Sequence, residues 1–192
     1  IYHKWYNEYR ECLFNNINYV EVSDEVIDGS IPKVPNLLVY SIMEKMRKAS
    51  GKKVLSGDFH VSPTKYFLYY FRAVQYWFKV LDRIPVFLED GEDKVTGEMK
   101  TIYVASNRDK YDIISFLSSS CFFLSYILWS SCQVVNSRDF NVYFSLNTLT
   151  DDEKTALEAL GVELQEDYQK HSKLKVRNYS KKGREFTMKK QH

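Results

Sequence analysis

A chain of 192 residues, 44% hydrophobic and 27% charged, is long enough to bury one substantial core and too apolar to remain disordered. The formal net charge of +2 excludes a general appeal to a basic protein, so only the placement of charge along the chain carries information. Cys12, Cys121 and Cys132 are odd in number and far apart, and His3, His60, His171 and His192 are scattered. That pattern excludes a disulfide framework and a zinc motif, and it fits a reducing, cytoplasmic compartment.

Residues 1–35 mix a short apolar run at Ile17–Val22 with turn residues at Asp28-Gly29-Ser30 and the pair Pro32 and Pro35, a pattern that predicts strands and loops. Asn36 then stands as a helix cap, with Leu37, Leu38, Tyr40, Ile42, Met43 and Met46 at helical spacing up to Ser50-Gly51. Lys45, Arg47 and Lys48 occupy the last turn, where they suit the helix dipole.

From Val54 to Ala105 the segments are short and punctuated by Gly57, Pro63, Pro85, Gly91 and Gly97. This predicts a sheet with strands near 66–71, 76–81 and 99–105; for 66–77 a helical period also fits. The run Lys65–Lys79 holds eight aromatic rings and three cations with no acid. A strand pair buried in a core explains the rings, and a surface that neutralises phosphates and stacks on bases explains both rings and cations.

Residues 109–130 read as helix, and Ile113–Ser137 carries no charge at all. Its many serines, with Cys, Gln and Asn, favour a buried core helix broken near Ser118-Ser119-Ser120 over a membrane span. A third helix begins at Thr150, capped reciprocally with Glu153, and runs to His171 with Leu157, Leu160, Leu164 and Tyr168 as its apolar stripe. Seven acids and one lysine fall between Asp151 and Asp167, whereas nine cations and one acid fall between Lys170 and His192. The alternation of Val176 and Tyr179, then Phe186 and Met188, across Lys182-Gly183 predicts a basic β-hairpin or an extended arm.

Nucleotide-binding glycine motifs and a G-x-S-x-G elbow are absent from the sequence. Asp90 followed by Glu98-Met99-Lys100 has the residue order of a metal-dependent nuclease, but Glu89, Asp90, Glu92 and Asp93 around Gly91 read more simply as a solvated hairpin tip.

Five segments occur in a telling order. They are Ile31-Pro32-Lys33; Tyr69-Tyr70-Phe71-Arg72-Ala73 with Tyr76-Trp77-Phe78-Lys79-Val80 and Pro85; Ile113 to Trp129 through Ser118-Ser119-Ser120 and Phe122-Phe123; Asn136-Ser137-Arg138-Asp139-Phe140; and Lys175-Val176-Arg177-Asn178 with Gly183-Arg184 and Phe186. In order and spacing they resemble the C-terminal, TaqI-like specificity region of bacterial adenine-N6 DNA methyltransferases of restriction-modification systems, fused type IIG enzymes included. The chain departs from close relatives at Phe71 and Ser118, where Arg and Asn are expected, and it lacks the N-P-P-[YF] catalytic motif and the glycine-containing cofactor motif.

The resemblance implies a mixed α/β (α+β) target-recognition domain with a twisted mixed sheet and a helical subdomain. Residues 1–149 would form the recognition domain, and 150–192 a helix and basic arm packed on it. Its partners would be double-stranded DNA and a methyltransferase catalytic domain, in the same chain or another, and no membrane. S-adenosylmethionine would be bound by that separate domain and no cofactor by this segment. Lys65, Arg72 and Lys79 are expected at phosphates or bases, with Tyr70, Tyr76 and Trp77 stacking or lining a groove. Asn136 and Arg138 would reach base edges, and Lys175, Arg177, Lys181, Lys182 and Arg184 would form a basic arm. The simpler readings are core packing for Trp77, helix capping for Arg138 and a solvated tail for Lys181, Lys182 and Arg184. A protein-interaction or scaffold domain with the aromatic run as its interface is the alternative function.

Overall fold

The computed structural model describes Glu8 and residues 11–15, 18–23, 31–74, 77–181 and 184–191. In chain order the elements are α1 (Glu11–Asn15), α2 (Leu37–Ala49), β1 (Tyr66–Phe71), β2 (Val80–Leu81), β3 (Phe87–Glu89), β4 (Glu92–Asp93), β5 (Met99–Val104), α3 (Asn107–Leu117), α4 (Ser120–Trp129), α5 (Asp151–His171), β6 (Leu174–Lys181) and β7 (Arg184–Gln191). The mixture of helices with antiparallel sheets is an α+β architecture. In place of one mixed sheet there are two sheets, β2-β1-β5 and β4-β3-β7-β6, and every pair in both is antiparallel. The β3–β4 and β6–β7 strands are each separated by two residues, a length that permits only antiparallel pairing, because parallel pairing needs a long crossover.

The period of 2 in β1 decides which rings are core. Leu68 and Tyr70 face inward and are buried, while Phe67, Tyr69 and Phe71 on the other face are half-exposed. Against the inner face pack Ile113, Ile114, Phe116 and Leu117 of α3, with Phe122 and Tyr126 of α4. The charge-free stretch therefore forms core helices. No single described helix is long and apolar enough to cross a membrane; α3 and α4 pass that test only as a pair, bent by 65°. The bend lies at the predicted serines, where Ser118 closes α3 and the Ser119 hydroxyl accepts from Phe122 N–H at 3.2 Å to open α4.

Asn36 caps α2 as expected, its Oδ1 accepting from Val39 N–H at 2.9 Å. Arg47 of the last turn is buried rather than splayed into solvent, and it grips Glu44 through two contacts of 2.9 Å. That guanidinium holds the Glu44 carboxyl below the usual carboxylate range. Residues 18–23 and 31–35 carry no strand, and Glu11–Asn15 is helical, so the expectation of N-terminal strands fails over the described residues. The Asp28-Gly29-Ser30 turn lies outside them.

The reciprocal cap of α5 is present: Thr150 N–H donates to Glu153 Oε2 at 2.8 Å, and Glu153 N–H donates to the Thr150 hydroxyl at 3.3 Å. Of the predicted packing stripe Leu157, Leu164 and Tyr168 are half-buried. Leu160 is exposed, and the helix instead buries Gly161 directly on the α3 backbone at Tyr111. One turn on, buried Gln165 donates to Val80 O at 3.2 Å and accepts from Asp82 N–H at 3.1 Å, closing the open edge of β2 with a side-chain amide.

Candidate nucleic-acid interface

The chain leaving β1 is held on both sides by backbone. Arg72 N–H donates to Glu98 O at 2.9 Å, Val135 N–H donates to Arg72 O at 2.9 Å, and Ala73 bridges to Val134. Residues 72–73 and 134–136, distant in sequence, thus run side by side. From there Asn136 opens a 3-10 turn over Ser137–Phe140, and the Asp139 carboxylate accepts from Asn136 N–H at 2.7 Å.

Phe140 nails this turn to the core. Its ring meets Tyr70 edge-on at 5.1 Å, Phe59 edge-on at 5.4 Å and Phe122 in a stack at 6.1 Å. With Asp139 and Phe140 buried, Asn136, Ser137 and Arg138 are left exposed on the outer side of the turn. The structure therefore brings Arg72, Asn136 and Arg138 into one neighbourhood, with Arg72 half-buried.

Trp77 is 38% exposed. One face stacks on Phe123 at 4.6 Å, and its Nε1 donates to Ser118 O at 3.1 Å, so the indole is fixed on the α3–α4 elbow. Beside it Lys79 is exposed. Both line a cleft of about 550 Å³ between the two sheets, with Phe71, Leu81 and Met99 on one side and Ile84, Val86, Phe87 and Val95 on the other. Arg83, also at the cleft, is tied to Asp82 at 2.9 Å, and His171 to Asp167 at 2.9 Å.

Tyr70 belongs elsewhere. It is only 8% exposed, with its ring packed against Phe78 and Phe140, so no base can stack on it. Burial accordingly raises its hydroxyl pKa. The signal that separates it from its neighbours was in the sequence: Tyr70 shares the parity of Leu68, whereas Phe67, Tyr69 and Phe71 share the open face. On that face Tyr103, paired with Phe67 in register, adds a fourth ring. Lys65 is exposed at the far end of β1, with Nζ 4.9 Å from the Tyr66 ring centre. Seven residues of extended chain, about 23 Å, separate it from Arg72.

Lys175 is exposed on β6. Arg177 and Lys181 lie on β6 and Arg184 on β7, and the register pairs Lys181 with Arg184. Tyr76 and Lys182 lie outside the described residues. The nuclease-like acids are not assembled: Asp90 and Gly91 form the left-handed tip of the β3–β4 hairpin (φ 53° and 86°), while Lys100 lies on β5 of the other sheet and Glu98 just before it. Among the described residues no cluster of His, Cys, Asp and Glu could hold a metal ion.

Among the described residues one carboxylate is buried without a hydrogen bond. Asp112 of α3 is fully buried, neither of its oxygens has a partner, and desolvation pushes its pKa up to about 6 despite Arg108 one turn away. No family model, curated protein or solved structure matches the chain.

Proposed function

We propose that this chain is a DNA-recognition segment of an adenine-N6 methyltransferase or restriction-modification enzyme. It would position a duplex for a catalytic domain that carries S-adenosylmethionine and works in the cytoplasm. The observation that carries the reading is the seating of 134–136 against 72–73. It sets Arg72 beside an exposed loop bearing Asn136 and Arg138, the side chains suited to adenine and guanine edges in a major groove. Phe140 gives that loop a rigid base, so its polar groups need little ordering on binding. Trp77 and Lys79 add a fixed indole and a cation at the neighbouring cleft.

A protein interface on the aromatic run remains the alternative; Tyr70 and Phe78 are spent on the core, which leaves Phe67, Tyr69, Phe71 and Trp77 for it. The test is a set of single variants on a duplex preferred by the chain. Arg138→Ala should relax preference at one base position, worth about 1–3 kcal/mol of discrimination. Lys79→Ala should weaken all duplexes alike and reduce the slope of log K against log salt by about 0.9. Equal, sequence-independent losses in both variants would contradict the division into reading and gripping residues.

A further inference from the structure

The outer face of the sheet β2-β1-β5 carries a ring at every outward position of its middle strand. Phe67, Tyr69 and Phe71 follow one another on that face, and the register sets Tyr103 beside Phe67, with Leu81 and Thr101 on either side of Tyr69. All four rings are half-exposed, whereas Leu68, Tyr70, Val80 and Ile102 on the opposite face are buried. Phe67 meets Tyr69 at 5.5 Å and Tyr103 at 6.4 Å, both edge-on, so these rings are not consumed by stacking on one another.

At the Phe71 end the face runs into the cleft, whose lining includes Phe71, Leu81 and Met99 together with Trp77 and Lys79. Phe71 N–H donates to Lys79 O at 3.2 Å, which places this exposed lysine opposite the last ring of the row. The segments that build the sheet, 59–81 and 99–105, contain Lys65, Arg72, Lys79 and Lys100 and no acid. Glu98 and Asp82 lie just outside them, and Asp82 is tied to Arg83 at 2.9 Å. A row of rings in so cationic a setting suits a polyanion with flat, stackable units. Successive rings on one face of a strand stand about 6.7 Å apart, twice the roughly 3.4 Å rise per nucleotide of a duplex strand. Bases stacked on one another inside a duplex cannot lie on such rings, and the splayed bases of a single strand can.

We infer that the outer face of β2-β1-β5 is a stacking platform for single-stranded DNA, with bases seated on Phe67, Tyr69, Phe71 and Tyr103 and the strand leading past Lys79 into the cleft. This site goes beyond the reading of a duplex by the Asn136–Arg138 loop and does not rest on it.

The experiment measures, by fluorescence anisotropy, the binding of the 192-residue chain to a labelled oligodeoxythymidylate, to an abasic strand of the same length and to a duplex. Oligodeoxythymidylate should bind more tightly than the abasic strand by at least the roughly 5- to 150-fold expected of one stacked base. Tyr69→Ala should lose a similar factor on oligodeoxythymidylate and little on the abasic strand, whereas Tyr69→Phe, which keeps the ring, should bind as the parent does. Tyr69→Leu repeats the loss with an apolar side chain retained on the sheet, and serves where Tyr69→Ala lowers thermal melting. Lys79→Ala should weaken both strands alike. Equal affinity for the two strands, or Tyr69→Ala and Tyr69→Leu binding as tightly as the parent, would overturn the platform; duplex binding that persists in that case leaves the recognition reading standing. Ring-dependent binding of the single strand with no binding of any duplex would support the platform and overturn the recognition reading.

Discussion

Replacing Asp112 by Asn should change how stability depends on pH in a direction fixed by burial. Asp112 has no hydrogen-bond partner and a pKa pushed up to about 6, against an ordinary 3.8. The folded state therefore holds this proton more tightly than the unfolded state does. The stability tied to it is complete below about pH 4 and is lost as pH rises through about 6. A difference of about two pKa units at ~1.36 kcal/mol each makes the loss about 3 kcal/mol at pH 7 and above. Asp112→Asn keeps the shape and cannot ionise. It should match the parent near pH 4 and exceed it by up to about 3 kcal/mol at pH 7–8, or roughly 6–12 °C in Tm for a chain of this size. Urea unfolding followed by tryptophan fluorescence from pH 4 to 8 gives both curves. Parallel curves, or a variant less stable at pH 7, would refute the account of an unpaired buried carboxylate.

Gly161→Ala reverses the usual effect of that change in a helix, which is a gain of about 1 kcal/mol. The new methyl would meet the Tyr111 backbone carbonyl and the Ser115 hydroxyl, the latter at 2.9 Å, and backbone cannot rotate aside. A net loss of about 1–3 kcal/mol by chemical denaturation is expected, while Leu160→Ala, on the exposed neighbour, should stay within about 0.5 kcal/mol. Thr150→Ala removes half of the α5 cap and should cost about 1 kcal/mol in the same assay.

Where a local pattern determines a local structure, the sequence was readable. Asn36, Thr150 with Glu153, the serines between α3 and α4, and Asp90-Gly91 each act within a few residues, and each forms the expected cap, break or turn. The hairpin at the C-terminus was open between two readings, and its paired register decides it. The pairing of β7 with β3 joins residues about a hundred apart, and no periodicity in either segment encodes the partner. The same holds for the candidate site. Arg72, Asn136 and Arg138 were individually visible as residue types, but their proximity depends on the backbone bonds of 72–73 with 134–135. Tyr70 was misplaced through reading the aromatic run by composition when its alternation with Leu68 marked the buried side. Leu160 followed the helical period but lost its place to Gly161, because close approach of α5 to α3 needs a residue without a side chain.

The most direct test of DNA recognition is selection of bound duplexes from a random-sequence library by the 192-residue chain at two salt concentrations, followed by sequencing. Recovery of one recurring asymmetric motif containing adenine, held more weakly at the higher salt, is the predicted result. Retention of no duplex at either salt would contradict the account and favour a protein partner for the cleft and the basic hairpin.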